Sequence, residues 1–437
     1  MRIFNAGCCA LVFMKKTFIL LVLILQVSFA GGQDTLSDAS ALKKIYSTAL
    51  SENKGYEWLT QLTNIGSRLT GSAQATDAVI YFKNKADSLG FKTQLQEVTV
   101  PQWVRGPKEV AHYSIGDKKY YMRCTALGGS VGTPLKGLTA PIVEIHSFEQ
   151  LDAMKDELKG KIAFFNIKMD PSFINTFFSY SSAVKQRYAG AVEASKKGAV
   201  AVVTRSLSAT INEFPHTGSM TYKGALRQIP AMSISTADAE LLSRHLQENS
   251  IDFFMRMQCQ MKDSVVSYNL IADMPGTSKS NEVILIGGHI DSWDLGTGAH
   301  DDGAGCMHSL EAAWLLKQTG LLPSRTIRVV FFMNEEFGLN GATVYAKAFD
   351  TDETKHVVAM ESDAGGFTPR GISIVAPDNQ REQVREFRDL FEPYGVHQFS
   401  QTGSGADISK LHHPDLVMIG LRPDNHRYFE IHHSAKD

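Results

Sequence analysis

This 437-residue sequence has little excess charge of either sign, few cysteines and no long basic run. Its 44 Lys and Arg residues nearly balance 46 Asp and Glu residues, which gives a formal net charge of -2. Because binding to nucleic acid needs clustered basic residues that neutralise phosphates, nucleic acid is excluded as the main partner. The 35 glycines follow no collagen-like period, and no repeat of about 20 to 50 residues indicates a solenoid.

What the sequence does contain is enough apolar residues for a large core. Hydrophobic residues make up 43% of the chain and charged residues 21%. This composition is typical of a folded globular protein and not of a disordered chain. At roughly 150 residues per domain, the length predicts two or three domains.

The five cysteines predict no disulfide framework. Cys8 and Cys9 lie in a segment that we expect to be removed, which leaves Cys124, Cys259 and Cys306. Three scattered cysteines leave open only one bridge, from Cys124 to Cys259. No Cys-x-x-Cys motif occurs, so a thiolate zinc site is not expected.

The first 30 residues have the pattern of a secretory signal peptide. Met14-Lys15-Lys16 precedes an apolar run from Phe18 to Val27, and Ser28-Phe29-Ala30 supplies small residues before a cleavage site. We expect cleavage after Ala30, with residues 1–13 as an upstream extension. An uncleaved anchor is the alternative, although the run is short for a hydrocarbon layer of ~30 Å. The sequence therefore predicts a secreted or periplasmic protein without stable membrane insertion after cleavage.

The remaining sequence divides into three parts. Residues 31–127 predict helices followed by a strand from Lys92 to Val100. Residues 128–262 begin with a loop rich in glycine and continue with short strands in a βαβ rhythm. Residues 263–437 alternate short buried strands with helices. We expect the middle part to be an inserted domain and the last part to form a sheet with helices on both sides.

Acidic and imidazole side chains follow three predicted strands of the last part, at the point where each strand ends. Strand 283–286 leads to His289 and Asp291, strand 327–333 to Glu335 and Glu336, and strand 357–360 to Glu361, Ser362 and Asp363. A glycine-rich turn adds Asp301 and Asp302, and His432-His433 comes near the end. Because ligands bind outside the carboxyl ends of strands in open α/β sheets, we expect these side chains to converge.

Such a set of carboxylates and imidazoles suits a pair of zinc ions, since zinc accepts both kinds of ligand. Two ions ~3.5–4 Å apart need a bridging group, which Asp301 or Asp302 can supply. Asp291 is expected to orient the imidazole of His289 by a hydrogen bond. Of Glu335 and Glu336, one can bind metal while its neighbour faces the substrate as a general base.

Each of these residues taken alone has an ordinary structural interpretation. A histidine at a strand end is often a hydrogen-bonded core residue, the aspartate pair can cap a helix, and the glutamate pair can be a solvated surface pair. Their shared position at strand ends of one predicted sheet weakens these interpretations. Other residues lack that position and are expected to lie outside the site: His300, His308, His412, His413, His426 and Cys306.

Four segments, GGHIDSWDLGTGAHDDGAG, MNEEFGLNGATVYAKAF, MESDAGG and HHSAKD, occur in this order. Together they resemble the co-catalytic zinc aminopeptidase and glutamate carboxypeptidase family, and within it the plasma glutamate carboxypeptidase subgroup. The resemblance covers nearly the whole sequence after residue 30. It implies the zinc exopeptidase fold, which is α/β with a mixed, largely parallel sheet sandwiched by helices. It also implies that residues 128–262 are an inserted protease-associated α/β domain between two parts of a peptidase domain, 31–127 and 263–437.

The resemblance further implies two Zn²⁺ ions per chain and a set of five metal ligands: His289, Asp301, Glu336, Asp363 and His433. Asp301 would bridge the ions, with His289 and Asp363 on one and Glu336 and His433 on the other. Glu335 would be the general base, and Asp291 the second catalytic residue. His432 is a weaker candidate for polarising the scissile carbonyl.

We therefore expect a secreted di-zinc exopeptidase that hydrolyses small peptides, dipeptides above all, by a metal-bridging water that Glu335 activates. The alternatives are a single-zinc acyltransferase resembling glutaminyl cyclase and a non-catalytic receptor-like scaffold on the same fold. A small peptide is the expected partner, and a homodimer follows only from the resemblance. The sequence ends at Asp437, where relatives usually continue into a final helix, so we expect either a truncated chain or one that lacks this helix.

Overall fold

The computed structural model of the chain describes residues 37–349 and 355–437. The predicted signal peptide, residues 1–30, therefore lies outside the described residues. The chain divides into two units after Ser47, and the described part of the first unit is the beginning of one helix. The second unit, residues 48–437, contains both β-sheets. None of the helices in the described ranges is both long and apolar enough to cross a bilayer.

The α-helices of the described residues follow one another in this order: α1 (Asp38–Glu52), α2 (Lys54–Ile65), α3 (Ala73–Ser88), α4 (Phe148–Ala153), α5 (Thr176–Ala183), α6 (Lys185–Tyr188), α7 (Gly190–Lys196), α8 (Thr236–Leu246), α9 (Ala304–Gln318), α10 (Asn340–Phe349), α11 (Asp378–Arg385) and α12 (Arg388–Phe391). A π-helical turn covers Ala299–Gly303, and 3₁₀ turns cover Glu392–Tyr394, Ile408–Lys410 and Tyr428–Glu430. Short polar side chains start several helices: the hydroxyl of Ser72, for example, accepts from the Ala75 N–H at 3.1 Å.

The β-strands of the same residues are β1 (Lys92–Val104), β2 (Glu109–Ile115), β3 (Lys118–Met122), β4 (Cys124–Ala126), β5 (Leu138–Ile145), β6 (Ile162–Phe165), β7 (Ala201–Arg205), β8 (Ala231–Ile234), β9 (Asp252–Met257), β10 (Gln260–Met274), β11 (Lys279–His289), β12 (Arg325–Phe332), β13 (Lys355–Glu361), β14 (Pro369–Val375), β15 (Gln398–Gln401) and β16 (Val417–Pro423).

The first sheet has eight strands in the order β1-β10-β12-β11-β13-β16-β14-β15. Its centre, from β12 to β16, is parallel. The pairs β1–β10, β10–β12 and β16–β14 are antiparallel, and β14–β15 is parallel. The parallel centre confirms the parallel strands predicted from short apolar runs, because strands buried on both faces are apolar on both faces. The mixed sheet confirms the α/β fold class that the family resemblance implies.

Helices cover the first sheet on both faces, and strand β12 shows how. The ring of Phe331 lies 6.0 Å from that of Phe82 in α3. The next residue, Phe332, points to the other face, where its ring is 5.5 Å from that of Tyr345 in α10. Side chains alternate between the faces of a strand, so these two neighbouring phenylalanines pack against different helices on opposite faces of the sheet. A fully buried phenylalanine of this kind contributes roughly 1.5–3 kcal/mol relative to an exposed one.

The second sheet also has eight strands, in the order β3-β2-β9-β5-β6-β7-β8-β4, and all of them lie between Glu109 and Met257. Strands β2, β3 and β4 thus precede the predicted boundary at residue 128, while β10, which begins at Gln260, belongs to the first sheet. The division of the chain into domains at 127/128 and 262/263 stays a prediction.

The residue pattern predicts one helix over 183–197 and another over 382–392, and both are broken in the structure. In the first segment α5 ends at Ala183 and the short helices α6 and α7 follow, with breaks at Val184 and Ala189. The region 382–392 contains α11, α12 and a 3₁₀ turn. Neither α11 nor α12 has a buried residue, so no packed apolar face favours one longer helix there.

The disulfide that the sequence left open is not formed. Cys124, Cys259 and Cys306 are all free thiols. Burial raises the pKa of Cys259 to about 11 and that of Cys124 to about 12, which suppresses the reactive thiolate form.

Candidate metal centre

Three neighbouring strands end at the same edge of the first sheet and bring the predicted side chains together. His289 is the last residue of β11 and pairs in register with Phe332, the last residue of β12. Glu335 and Glu336 follow β12 after two residues, Met333 and Asn334, and Asp363 follows β13 after one residue, Ser362. The convergence expected from parallel strands is therefore present.

Asp301 lies at the middle of this cluster, in the π-helical turn before α9. Its Oδ1 is 3.2 Å from His289 Nε2, and its Oδ2 is 3.2 Å from His433 Nε2. Asp363 Oδ1 is 3.6 Å from His289 Nε2, and Glu336 Oε2 is 3.0 Å from His433 Nε2. Each oxygen of one carboxylate thus faces a different group of metal-type ligands.

The neighbouring Asp302 has a different environment from Asp301. The residue pattern alone allowed either aspartate to be the bridging group, and the structure distinguishes them. Its Oδ2 accepts from the His289 N–H at 3.1 Å and its Oδ1 from the Gly305 N–H at 3.0 Å. A side chain at Gly305 would collide with the Ser362 carbonyl, so glycine is required for this close approach. Although Asp302 also lies near His289 and Asp363, both its oxygens are used by backbone N–H groups.

The two adjacent histidines near the end of the chain stack on each other, with ring centroids 3.5 Å apart. His433 is the one that contacts both Asp301 and Glu336. His432 Nε2 is 3.5 Å from Asp301 Oδ2. The backbone carbonyl of His433 accepts from the Thr217 N–H at 2.9 Å, so a loop of the second sheet helps to hold this imidazole.

The electrostatics of the cluster favour positive charge. Burial alone would lower the pKa of His433, but the carboxylates of Glu336 and Asp301 raise it to about 9. Burial likewise opposes the charged form of His289, yet interaction with Asp301 and Asp363 raises its pKa well above the usual value. Buried carboxylates need a compensating cation, and protonated imidazoles or bound metal ions can both supply it.

The side chain of Asp291 holds the turn that carries Glu335. Its Oδ1 accepts from the N–H groups of Asn334 at 2.8 Å and Glu335 at 3.1 Å. The Nδ1 of His289 is 2.9 Å from the Asp291 carbonyl oxygen but 3.7 Å from its carboxylate. The hydrogen bond that was expected from the Asp291 carboxylate to His289 is therefore made by the main chain of the same residue.

A cavity of about 260 Å³ opens onto the cluster. Its floor includes Asp301, Glu335, Glu336 and Asp363, and its walls are Phe177, Tyr180, Arg187, Ser219, Tyr428 and Phe429, together with the two stacked histidines. Tyr180 of α5 stacks on Phe429 with ring centroids 4.4 Å apart. Segments between the strands of the second sheet thus form one wall of a site whose floor belongs to the first sheet.

The histidines that the sequence placed outside the site have other contacts. His300 Nδ1 accepts from the Gly366 N–H at 3.0 Å, and His308 Nδ1 is 3.0 Å from the Ser362 hydroxyl. Within residues 37–349 and 355–437, none of these histidines belongs to a cluster of metal-type ligands. The buried Cys306 thiol donates to the His289 carbonyl at 3.1 Å.

A Gly-x-Ser-x-Gly sequence at 128–132 does not form a nucleophile site. Ser130 is buried, and its hydroxyl donates to the Val131 carbonyl and accepts from the Ala231 N–H, both at 2.9 Å. The Ser130 hydroxyl therefore stabilises the start of β8 by a hydrogen bond and is not free to attack a substrate.

Sequence reasoning missed two residues next to the cluster, Thr70 and Arg187. Both are buried, and both approach the site from segments far away in sequence. Neither stands at a predicted strand end or in one of the four motifs, so no local signal could have identified them. The sequence also allows Ser404, Asp407 and Arg422 to lie in loops that line the pocket, but none of them lines the cavity, and Arg422 lies within strand β16.

Comparison with known proteins adds to this geometry. The profile of peptidase family M28 matches residues 269–437. Carboxypeptidase Q of Mus musculus is 34% identical over 88% of this chain and 81% of its own length. The crystal structure of a peptidase M28 precursor from Shewanella amazonensis has a TM-score of 0.85 and 35% identity, covering 91% of this chain and 90% of that chain. A zinc aminopeptidase from Bacillus subtilis shares the fold at a TM-score of 0.61 and 20% identity, over 87% and 90% of the two chains.

Proposed function

Since this chain belongs to peptidase family M28 and is a zinc metallopeptidase, we propose that it is a di-zinc exopeptidase of small peptides, dipeptides above all. The observation that carries the proposal is the position of Asp301. Its two carboxylate oxygens each lie 3.2 Å from the Nε2 atom of a different histidine, His289 and His433. One carboxylate between two sets of ligands is what a pair of metal ions requires.

The residues present fit two zinc ions in their chemistry. The buried His289 Nε2 and Glu336 Oε1 have no hydrogen-bond partner among the described residues. A metal ion at these atoms would take the place of the proton that otherwise compensates the carboxylates. We assign His289 and Asp363 to one ion and Glu336 and His433 to the other, with Asp301 shared. Imidazole nitrogen and carboxylate oxygen are ligands that zinc prefers.

Glu335 is the proposed general base. It is half-buried in the cavity floor beside the ligands, and the Asp291 carboxylate holds its backbone N–H. Burial raises the pKa of Glu335 well above the ordinary glutamate value, and the charges of Asp363 and Glu336 raise it further. A carboxylate with this increased proton affinity can take a proton from water and deliver it to the leaving amine. Bound zinc would supply the Lewis acidity that makes such a water acidic and neutralises oxyanion charge.

The size of the cavity supports a small substrate. Its volume of about 260 Å³ lies just below the range of ~300–1,000 Å³ that is typical of sites for drug-sized ligands. Tyr180, Phe177 and Phe429 pack together as an aromatic wall beside the acidic floor. A space of this size suits a short peptide, which favours cleavage next to a free terminus.

Arg187 indicates which terminus is bound. Only 7% of its surface is exposed. Its guanidinium donates to the Tyr180 hydroxyl at 2.8 Å and lies 3.2 Å from His433 Nδ1. No acidic side chain of the described residues forms an ion pair with it, and a buried cation without an anionic partner is costly. The free α-carboxylate of a substrate would supply the missing negative charge, so we infer that the C-terminus is recognised here.

We expect Arg187→Met to raise KM for a dipeptide roughly 10- to 100-fold, because a hydrogen-bonded charge pair contributes about 1.5–3 kcal/mol. The same variant should not further impair hydrolysis of the C-terminally amidated dipeptide, which lacks the carboxylate. Steady-state kinetics on both substrates measure the difference.

The matched control is Arg325→Met at the opposite end of β12, where the arginine forms a half-buried ion pair with Glu282. It removes the same charge and should leave both substrates unaffected. An equal loss on the acid and the amide in Arg187→Met would show that this arginine does not bind the substrate carboxylate.

We also propose that the chain is exported by the leader at residues 1–30 and acts as a secreted or periplasmic enzyme, and that residues 128–262 form a protease-associated insertion. The separate second sheet and the wall that its loops provide support the insertion. A homodimer stays a prediction from the family resemblance.

Zinc stoichiometry together with a dipeptide hydrolysis assay tests the proposal. The purified full chain should contain two zinc ions and release free amino acids from dipeptides. Chelation should abolish this activity, and added Zn²⁺ should restore it. A single zinc ion with cyclisation of an N-terminal glutamine would favour the acyltransferase alternative, and a metal-free inactive chain would favour the scaffold.

A further inference from the structure

A buried loop between α2 and α3 is bound to the segment that joins His289 to Asp301. The side chain of Arg68 in this loop is fully buried. Its guanidinium donates to three main-chain carbonyls of that segment: Ile290 at 2.7 Å, Thr297 at 2.5 Å and Gly298 at 2.8 Å. Arg68 also exchanges hydrogen bonds with Ser292, from its N–H to the Ser292 hydroxyl at 3.0 Å and from the Ser292 N–H to its carbonyl at 3.1 Å. These contacts fix the loop firmly in place.

Two residues further along the same loop, Thr70 contacts the Asp291 carboxylate, which holds the turn of Glu335. Thr70 is 3% exposed, and its hydroxyl donates to Asp291 Oδ2 at 2.5 Å. The other oxygen, Asp291 Oδ1, accepts from the N–H groups of Asn334 and Glu335. A continuous line of hydrogen bonds therefore runs from Thr70 through Asp291 to the main chain of Glu335.

The turn that carries Glu335 needs this support. Asn334 has a φ of 76°, in the left-handed region that side chains other than glycine seldom adopt. The Asp291 carboxylate holds this turn by accepting both of its N–H groups. Without the Thr70 hydroxyl, one oxygen of a fully buried carboxylate would lose its donor, and the carboxylate could rotate away from the turn.

We propose that Thr70 is a positioning residue for the reaction: its hydroxyl fixes the Asp291 carboxylate, which aims the Glu335 carboxylate through the backbone of Asn334 and Glu335. This inference rests on the proposed function, because Glu335 needs aiming only if it serves as a general base. A base displaced by about 1 Å loses much of its effect on the rate.

The first test compares Thr70→Val, which removes the hydroxyl at constant shape, with Thr70→Ser, which keeps it. We expect Thr70→Val to lower kcat for a dipeptide about 10- to 100-fold, with KM changed less than about twofold and zinc content unchanged. Thr70→Ser should restore kcat to within a few fold of wild type. The matched control is Thr326→Val, which removes a buried hydroxyl hydrogen-bonded to the Ser280 carbonyl at the far end of β12.

The second test does not depend on activity. Hydrogen exchange measured by mass spectrometry on a peptide covering residues 330–338 should be faster in Thr70→Val, because the amides of Asn334 and Glu335 lose a fixed acceptor. Thr70→Ser and Thr326→Val should exchange like wild type in this peptide. The midpoint of thermal unfolding of Thr70→Val and Thr326→Val shows whether a general loss of stability accounts for the exchange.

The outcomes separate the two proposals. Unchanged exchange in Thr70→Val overturns the positioning network, and faster exchange with unchanged kcat overturns its role in the reaction. Loss of zinc in Thr70→Val assigns the residue to metal retention and also overturns the inference. If zinc-loaded wild type hydrolyses no peptide, the proposed function fails and the catalytic part of the inference fails with it, while the exchange experiment still decides whether the network exists.

Discussion

Glu335→Gln is expected to lower kcat by about 10²- to 10⁴-fold while the zinc content stays at its wild-type value. The substitution keeps the shape of the side chain but replaces a carboxylate by an amide that cannot accept a proton, and general acid–base catalysis contributes about that factor. Glu335 is not among our assigned ligands, so metal binding should persist. Steady-state kinetics per zinc-loaded chain, with metal content measured by elemental analysis, tests the prediction.

Glu193→Gln is the matched control, since Glu193 forms a surface ion pair with Lys196 on α7, away from the residues that line the cavity. It should leave kcat and zinc content unchanged. Retention of activity in Glu335→Gln would remove Glu335 from the mechanism. A parallel loss of zinc would instead place this side chain among the metal ligands.

Asp301→Ala is expected to abolish zinc binding and activity together. Because the two oxygens of Asp301 face His289 and His433 separately, its removal would take one ligand from each of the two proposed metal positions. Without bound metal, the buried carboxylates of Glu336 and Asp363 also lose the cation that compensates their charge. Zinc per chain should fall from two ions to well below one, and hydrolysis should fall below detection.

A variant that unfolds would lose zinc for a trivial reason, so Asp301→Asn and circular dichroism accompany the alanine variant. The asparagine keeps the size of the side chain but removes the charge, and it should also lose metal while remaining folded. Asp378→Ala, at an exposed aspartate paired with Arg381, is the control with unaltered zinc. Wild-type zinc stoichiometry in folded Asp301→Ala would refute the bridging role.

The sequence predicted the central strands and the edge at which the site lies, and the reason is physical. The central parts of β11, β12 and β13 are apolar runs because both their faces are covered, so they stand out without any knowledge of their partners. Their parallel pairing then brings His289, Glu335 and Asp363 to one edge. This part of the site follows from chain order and strand direction.

Where the predicted helix over 183–197 breaks depends on packing against residues far away in the sequence. The segment 183–197, predicted as one helix, contains the last residue of α5 and the two short helices α6 and α7. Buried Gln186 of α6 exchanges two hydrogen bonds with the main chain of Ile167, at 3.1 Å and 2.7 Å. The same breaks bring Arg187 into the wall of the cavity. Helical periodicity describes one segment at a time and contains no information on such contacts.

The residue pattern by itself determined that carboxylate and imidazole side chains follow the ends of the central strands, because buried strands and the polar residues after them are local features. Only the tertiary structure decided that Asp301 faces both groups of ligands while Asp302 binds backbone N–H groups. It alone brought Thr70 and Arg187 to the site. These distinctions depend on side-chain direction and on contacts between distant segments, which only the packed chain defines.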